Sequence, residues 1–168
     1  MRTDFPYPEI NSVDIPDQNL LGIFAPSTVE IEKSEDELIE GAFLNPIGSA
    51  PLHEILEWCQ DILILVDDYT RTTPTQKILP RLMKELERGG IKREGIRFLI
   101  ASGTHRPMTE EEIVKKLGED IPRQYPILSH HWWDSSQLVY LGETTGQIPI
   151  YINRLVEEVD LIIGVGQI

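Results

Sequence analysis

Residues 62–74 are ILILVDDYTRTTP, and this stretch decides the fold that the sequence predicts. Its first five residues are apolar and have the length and composition of a buried strand. Two aspartates, an arginine and three threonines follow without a spacer, and apolar residues then recur at helical spacing from Ile78 to Leu86. Thr73 suits the N-cap of that helix and Pro74 its first position. The pattern predicts a strand, a polar loop over residues 67–74 and a helix.

The polar loop 67–74 has two interpretations. In open parallel sheets, ligands bind beyond the carboxyl ends of the strands, where helix N-termini present N–H groups to anions. Alternatively, Asp67 and Asp68 cap a turn, Arg71 pairs with one of them, and the threonines cap the helix. So many consecutive polar side chains, including an arginine that can bind a carboxylate or phosphate with two hydrogen bonds, exceed what one cap requires. The loop is therefore predicted to bind a ligand.

Apolar strands and amphipathic helices alternate along the rest of the chain. Ser34 with Glu37 and Thr109 with Glu112 have the spacing of capping boxes that open helices. The helix after residue 74 should end at Gly89, with a kink or an early break at Pro80. Strands are predicted at 19–25, 62–66, 96–101, 126–129, 138–141, 148–151 and 161–165. This order predicts an α/β fold, Rossmann-like, with a mainly parallel sheet flanked by helices.

The domain prediction is a single α/β domain over residues 1–168. The run at 161–165 has the composition of a central strand, which ordinarily leads into a loop and a helix at the edge where sites are built. We therefore expect the chain to be the amino-terminal part of a longer two-domain enzyme.

Composition limits the classes of function. The chain has 15 basic and 28 acidic residues among 168, a net charge of -13, which disfavours broad binding to nucleic acids or anionic membranes. The single cysteine, Cys59, excludes an internal disulfide. No apolar run approaches the roughly 18 residues of a membrane-spanning helix, and the first residues lack the apolar segment of a signal peptide. We expect a soluble, cytoplasmic protein with a small-molecule ligand.

A second polar cluster, SGTHRPMT at residues 102–109, follows the predicted strand at 96–101. Because parallel strands end at one edge of a sheet, this cluster should lie beside the loop at 67–74. His105 suits proton transfer at neutral pH, although a loop histidine bonded to the backbone is the ordinary alternative. The second polar loop at the same edge favours proton transfer. Arg106 either binds an anion or pairs with an acid at 110–112, and the sequence leaves both open.

The two motifs together, DDYTRTTP at 67–74 and GTHRPMT at 103–109, resemble the paired signatures of the lactate racemase family. These enzymes are 2-hydroxyacid racemases that use a nickel-pincer nucleotide. The stretch LVYLGETTG at 138–146 and the run IGVG at 163–166 also fit the family. The resemblance covers most of the chain from Ser34 onward, and two motifs in order are far more specific than one.

The resemblance implies an amino-terminal cofactor- and substrate-binding domain of such an isomerase, inactive alone. It implies that His105 is one of two proton-transfer bases, and that Arg71 binds the carboxylate of a small 2-hydroxyacid. Cofactor binding is implied for Asp68, Thr70, Arg71 and Thr72. One histidine would remove the hydroxyl proton while the carbon-bound hydrogen moves as hydride to the pyridinium ring. The second histidine, the lysine that tethers the cofactor and the nickel-binding histidine are expected beyond residue 168, in a carboxy-terminal domain, so no metal ligand is expected here.

The sequence departs from the family pattern in two places. Thr72 stands where a proline is usual, a change that removes no functional group. His130 matches the histidine of a usual His-Asp pair, and His131 then occupies the acidic position. Which 2-hydroxyacid is used stays open, because residues of the side-chain pocket are expected outside this chain.

Two other functions are alternatives to a racemase. A phosphatase of the haloacid dehalogenase type needs two aspartates two positions apart, whereas Asp67 and Asp68 are adjacent, so this class is disfavoured. A non-catalytic module that binds a nucleotide or a phosphate is the remaining alternative, since a phosphate loop and one histidine can serve binding alone.

Overall fold

The computed structural model describes residues 2–3, 12–24, 27 and 30–167, and the chain divides into two compact units, residues 1–32 and 33–168. In the first unit, β1 (Arg2–Thr3) pairs antiparallel with β2 (Val13–Asp14), and a 3-10 turn covers Asp17–Asn19. The strand predicted at 19–25 is wrong in its described part, because residues 20–24 form no regular structure. Leu21 and Phe24 are exposed, so these apolar side chains are not buried as those of a core strand would be. Residue 25 lies outside the described residues.

The second unit alternates helices and strands, as the sequence predicts. Its elements in chain order are α1 (Glu35–Leu44), α2 (Leu52–Ile55), β3 (Ile62–Val66), α3 (Thr75–Arg88), β4 (Ile96–Ile100), α4 (Glu110–Leu117), α5 (Asp120–Gln124), β5 (Ile127–Ser129), β6 (Leu138–Glu143), β7 (Pro149–Asn153) and β8 (Leu161–Val165). Short 3-10 segments lie at Leu56–Trp58, Arg93–Gly95, Ser135–Gln137 and Arg154–Glu158. Helix α5 was not predicted. No helix within the described ranges is long and apolar enough to cross a bilayer.

Four parallel strands form the main sheet in the order β5, β4, β3, β8, which confirms the predicted α/β fold with a mainly parallel sheet. The chain moves outward from β3 to β4 and β5, then returns to place β8 on the other side of β3. Val66 pairs in register with Ile100 and with Val165, so three strands end at the same level. Strands β6 and β7 form a separate antiparallel ribbon. In open α/β sheets, ligands bind beyond the strand ends where the order reverses, here around β3.

The hydrophobic core lies between one face of the sheet and the helices. Alternate residues of β3 and β4 face it, because side chains of a strand alternate between the two faces of a sheet. Helix α3 contributes residues three and four positions apart, which form one stripe of the helix. Its members include Ile62, Ile64, Val66, Phe98 and Ile100 from the strands, and Leu79, Leu82 and Leu86 from α3. Burying one such side chain stabilises the fold by about 1.5–3 kcal/mol.

The start of α3 differs from the prediction. The helix begins at Thr75, Pro74 occupies the N-cap position, and no side chain caps it. Thr73, the predicted cap, donates its hydroxyl hydrogen to Asp67 instead. The helix then runs unbroken through Pro80 to Arg88, so the early break does not occur. Pro80 has no N–H, so one carbonyl of the preceding turn loses its helical partner. Pro80 lies on the exposed side of the helix, where water can reach that carbonyl.

Both predicted capping boxes are confirmed. The Ser34 side chain accepts a hydrogen bond from the N–H of Glu37 at the start of α1, and the Glu37 carboxylate accepts one from the N–H of Ser34. The Thr109 and Glu112 pair opens α4 in the same way. Capping boxes involve residues three positions apart, so they form without help from distant parts of the chain.

Candidate active site

The two polar loops meet beyond the carboxyl ends of β3 and β4. His105 Nδ1 lies 2.6 Å from Asp68 Oδ2. The Asp68 side chain is only 4% exposed, whereas that of His105 is 47% exposed. A turn brings the histidine there: its N–H donates to the Ser102 carbonyl at 2.9 Å, and Gly103 has a φ of 57°, which glycine adopts without strain. A buried carboxylate thus holds an imidazole that a ligand can reach.

Asp68 is ionised in this arrangement. Thr70 donates two hydrogen bonds to Asp68 Oδ1, one from its N–H at 3.0 Å and one from its hydroxyl at 2.6 Å. Burial alone would raise the pKa of Asp68, but the hydrogen bonds from Thr70 and His105 outweigh burial and hold that pKa below its ordinary value. A carboxylate has no hydrogen to donate, so in neutral His105 Nδ1 carries the hydrogen and Nε2 is the proton acceptor.

A second contact joins the same two loops. The Arg106 guanidinium carbon lies 4.4 Å from the centre of the Tyr69 ring. Arg106 also donates two hydrogen bonds to the Glu112 carboxylate, at 2.7 and 2.8 Å. This pairing raises the pKa of Arg106 and lowers the pKa of Glu112 to about 2. Of the two alternatives for Arg106, the structure shows the one in which it pairs with an acid of α4.

A cavity of about 440 Å³ lies between loop 67–74 and the helices α3 and α4. The residues that line it are Tyr69, Arg71, Thr72, Thr73, Pro74, Thr75, Gln76, Lys77, Glu112, Lys115 and Lys116. Four of these residues are basic and one is acidic, although the chain as a whole has a net charge of -13. The Arg71 side chain is exposed, and within the described part of the chain no group pairs with it. Lys77 and Lys116 are paired with Glu35 and Asp67, so the positive charge that the cavity offers to an anion comes from Arg71 and Lys115.

Lys116 connects α4 to the loop. Its Nζ lies 2.5 Å from Asp67 Oδ1 and donates to the Arg71 carbonyl at 2.9 Å. The Lys116 side chain is only 9% exposed. Sequence analysis missed this residue, because a lysine in the last turn of a helix is ordinary and is favoured there by the helix dipole.

Comparison with known proteins identifies the family. The family model of the lactate racemase N-terminal domain matches residues 8–168. The chain belongs to this family. Among curated proteins, it is similar to the lactate racemase of Lactiplantibacillus plantarum, with 36% identity over 166 residues, 97% of this chain and 39% of that protein. The lactate racemase of Thermoanaerobacterium thermosaccharolyticum is 30% identical over 155 residues, 91% of this chain and 36% of that protein.

Solved structures agree with this family assignment. The lactate racemase apoprotein from Thermoanaerobacterium thermosaccharolyticum superimposes with a TM-score of 0.80 at 28% identity, covering 98% of this chain and 38% of that one. A protein from Thermotoga maritima gives a TM-score of 0.62 at 28% identity, covering 82% of this chain and 34% of the other. The chain thus spans less than two fifths of each of these solved chains.

Within this lactate racemase family domain, the predicted site residues form two groups. Asp68, Thr70 and His105 are joined by hydrogen bonds. Arg71 and Thr72 line the basic cavity, whose lining does not include His105. The loops carry both groups at one edge of the sheet, as the sequence predicts. The division between them depends on which way each side chain points and was not predicted.

The remaining histidines near this edge have partners of their own. His130 Nδ1 lies 3.3 Å from the Asn153 amide nitrogen, and burial, together with the neighbouring His131, lowers the pKa of His130. His131 contacts the Gln137 side chain at 3.2 Å and stacks on Trp133. Among the residues that the structure describes, no three His, Cys, Asp or Glu side chains are grouped so as to hold a metal ion.

Proposed function

We propose that this chain is the amino-terminal cofactor- and substrate-binding domain of a longer two-domain 2-hydroxyacid racemase, in which His105 is a proton-transfer base. The contact between the ionised Asp68 and the half-exposed His105 is the observation that carries the proposal. The curated relatives support it: both are lactate racemases, and the chain matches 39% and 36% of their lengths, which leaves room for a carboxy-terminal domain. We also propose a cytoplasmic location, for which composition is the support.

His105 and Asp68 would work as a pair. Nε2 of His105 accepts the hydroxyl proton of one enantiomer, and it donates a proton to the 2-keto oxygen when the reaction runs in the opposite direction. The Asp68 carboxylate, 2.6 Å from Nδ1, stabilises the positive charge that the ring carries in between. Thr70 keeps that carboxylate ionised and oriented through its two hydrogen bonds. Inversion of a stereocentre needs a base on each side, so the second base is proposed to lie beyond residue 168.

The lining of the basic cavity fits a cofactor that carries a phosphate. Arg71 and Lys115 supply charge and Thr72 supplies a hydroxyl, the donors that phosphate oxygens accept from. We propose that Arg71 and Thr72 hold the phosphate of a nickel-pincer nucleotide. When bound, such a cofactor accepts the carbon-bound hydrogen as hydride. The nickel-binding histidine and the tethering lysine are proposed to lie beyond residue 168.

Asp68 and Thr70 are predicted from the family resemblance to bind the cofactor. Their hydrogen bonds in the structure go to each other and to His105. We therefore propose that they serve the cofactor indirectly, by orienting the base. Arg71 is proposed to bind the substrate carboxylate as well, because its exposed guanidinium can donate two parallel hydrogen bonds to it.

A non-catalytic phosphate-binding module is the second candidate. It is favoured by one observation: the lining of the basic cavity does not include His105, so a phosphate can be held there without the histidine. Under this alternative, the polar side chains of the loop would serve binding, and no proton would move.

The substitution His105→Ala in the longer enzyme, loaded with cofactor, separates the two candidates. For a racemase, we expect lactate racemisation to fall by about 100-fold or more, as for loss of a general base, while the cofactor stays bound. His131→Ala is the matched control, because His131 contacts Gln137 and Trp133 and neither polar loop, and it should keep its activity. Lactate is the first substrate to assay, since both curated relatives are lactate racemases. Undiminished turnover in His105→Ala would reject the catalytic role.

A further inference from the structure

We propose that Lys116 is a positioning residue that holds loop 67–74 in the shape that presents Arg71 to an anionic ligand. The identity of the ligand rests on the proposed function, whereas the role of Lys116 rests on contacts within the chain. No motif of the sequence points to this lysine, which lies 45 residues after the carbonyl that it contacts.

One ammonium group joins the loop at two points. Lys116 Nζ contacts Asp67 Oδ1, at the start of the loop, at 2.5 Å, and it donates to the Arg71 carbonyl, in the middle of the loop, at 2.9 Å. The other oxygen of Asp67 accepts the Thr73 hydroxyl near the end of the loop. Through Asp67 and Arg71, Lys116 therefore acts on the whole length of the loop.

Burial makes this contact specific. The side chains of Lys116 and Asp67 are 9% and 15% exposed. A buried charge is costly unless it is paired, so each of these groups depends on the other. If Lys116 lost its charge, Asp67 would be left as a poorly hydrated carboxylate in the first position of the loop, and the Arg71 carbonyl would lose its donor.

Helix α4 holds the ammonium group of Lys116 in a fixed position. The residue next to Lys116, Leu117, is 2% exposed and belongs to the core. The carbonyl of Lys115 accepts a hydrogen bond of 3.1 Å from the Gln76 side chain in the first turn of α3. The end of α4 is thus tied both to the core and to the helix that follows the loop, so its position does not depend on the loop itself.

The same contacts connect Lys116 to ligand binding. Lys116 and Arg71 line one cavity, and Lys116 holds the backbone of Arg71 while the guanidinium stays exposed. An anion in the cavity would therefore bind an arginine whose backbone is already held in place. Fixing a binding group before the ligand arrives lowers the entropy cost of association, which raises affinity.

The test compares Lys116→Met with Lys116→Arg in the purified protein. We expect Lys116→Met to weaken the binding of inorganic phosphate by about tenfold or more, as for loss of a hydrogen bond to a charged group, and to speed hydrogen exchange of the amides in residues 67–74. Lys116→Arg keeps the charge and several donors, so it should restore both. Lys84→Met removes an equal charge from an exposed position of α3 and should match the wild type in both measurements.

The double variant Asp67→Asn with Lys116→Met separates positioning from bulk stability. It removes both buried charges, so thermal stability should recover towards the wild type, while phosphate affinity stays low because the Arg71 carbonyl still lacks its donor. Recovery of affinity together with stability would show that Lys116 acts only through stability, and would overturn the inference. Unchanged hydrogen exchange of the amides in residues 67–74 in Lys116→Met would also overturn the inference. This measurement applies even if phosphate binding to every variant is too weak to measure.

These outcomes are distinct from failure of the proposed function. A longer enzyme that racemises no 2-hydroxyacid, yet shows the loop opening in Lys116→Met, would reject the racemase proposal and keep the role of Lys116. An active racemase in which Lys116→Met changes neither the loop exchange nor the KM would keep the racemase proposal and reject the role of Lys116.

Discussion

Asp68 and His105 are 37 residues apart in the sequence, and their side chains meet with 2.6 Å between Oδ2 and Nδ1. The register of the sheet brings them together: Val66 and Ile100, the last residues of β3 and β4, are paired, and the polar loops begin one and two residues after them. The contact is therefore anchored in the most buried part of the fold. It leaves the His105 side chain half-exposed while the carboxylate stays buried.

Substitution of Asp68 tests whether this carboxylate orients and supports His105. In Asp68→Asn, the amide fills a similar volume but cannot stabilise an imidazolium, so we expect racemisation by the longer enzyme to fall by about 10- to 100-fold, part of what a general base usually contributes. The ¹⁵N chemical shifts of the His105 ring should show loss of the predominant Nδ1–H tautomer. An unchanged rate with an unchanged tautomer would contradict the pairing.

Substitution of Arg71 tests carboxylate binding. Arg71→Ala should raise the KM for lactate by roughly tenfold or more, the usual effect of losing hydrogen bonds to a charged group. Arg71→Lys should recover part of this loss, because it restores the charge but not the two parallel donors. Arg123→Ala, at an exposed arginine paired with Glu119, is the control and should leave KM unchanged. Equal KM values for Arg71→Ala and the wild type would reject the role.

The pair of Arg106 and Glu112 predicts a dependence of stability on pH. The pKa of Glu112 is lowered from 4.5 to about 2 in the folded protein, so its ionised form stabilises the fold above pH 4.5. That contribution is lost as the pH falls from 4.5 towards about 2. Glu112→Gln keeps an oxygen that can accept from the Thr109 N–H but removes the charge. The Tm difference between wild type and Glu112→Gln should therefore shrink over this range, and a constant difference would contradict the prediction.

Two glycines make a matched test of packing. A Cβ on Gly95 would lie 2.1 Å from the Gln60 carbonyl oxygen, a backbone atom that cannot easily move. Gly95→Ala should therefore lower the free energy of unfolding by about 1–3 kcal/mol, as for other overpacked sites. Gly41 lies within α1 and has open space around it, so Gly41→Ala should raise the free energy of unfolding by about 0.5–1 kcal/mol. Urea denaturation measures both, and equal stability of Gly95→Ala and wild type would show that the close approach is relieved.

Much of the fold follows from patterns within a few residues. The strand at 62–66 has the predicted bounds, and the capping boxes of Ser34 and Thr109 open helices where the sequence places them. The run at 19–25 has a similar composition to a strand, but in residues 20–24 it forms none, because a strand needs a partner that the local pattern does not reveal.

The α/β class, the two polar loops and their common edge follow from the sequence alone, because strand periodicity, helix caps and the parallel connection of strands are local or nearly local properties. Which side chains of those loops meet depends on the tertiary structure. Arg106 pairs with Glu112, Thr73 bonds to Asp67 instead of capping α3, and Lys116 reaches back to the loop. For each of these polar groups, the sequence pattern allows several partners. The choice among them depends on burial and on how α4 packs against α3, since a buried charge must find its partner in three dimensions.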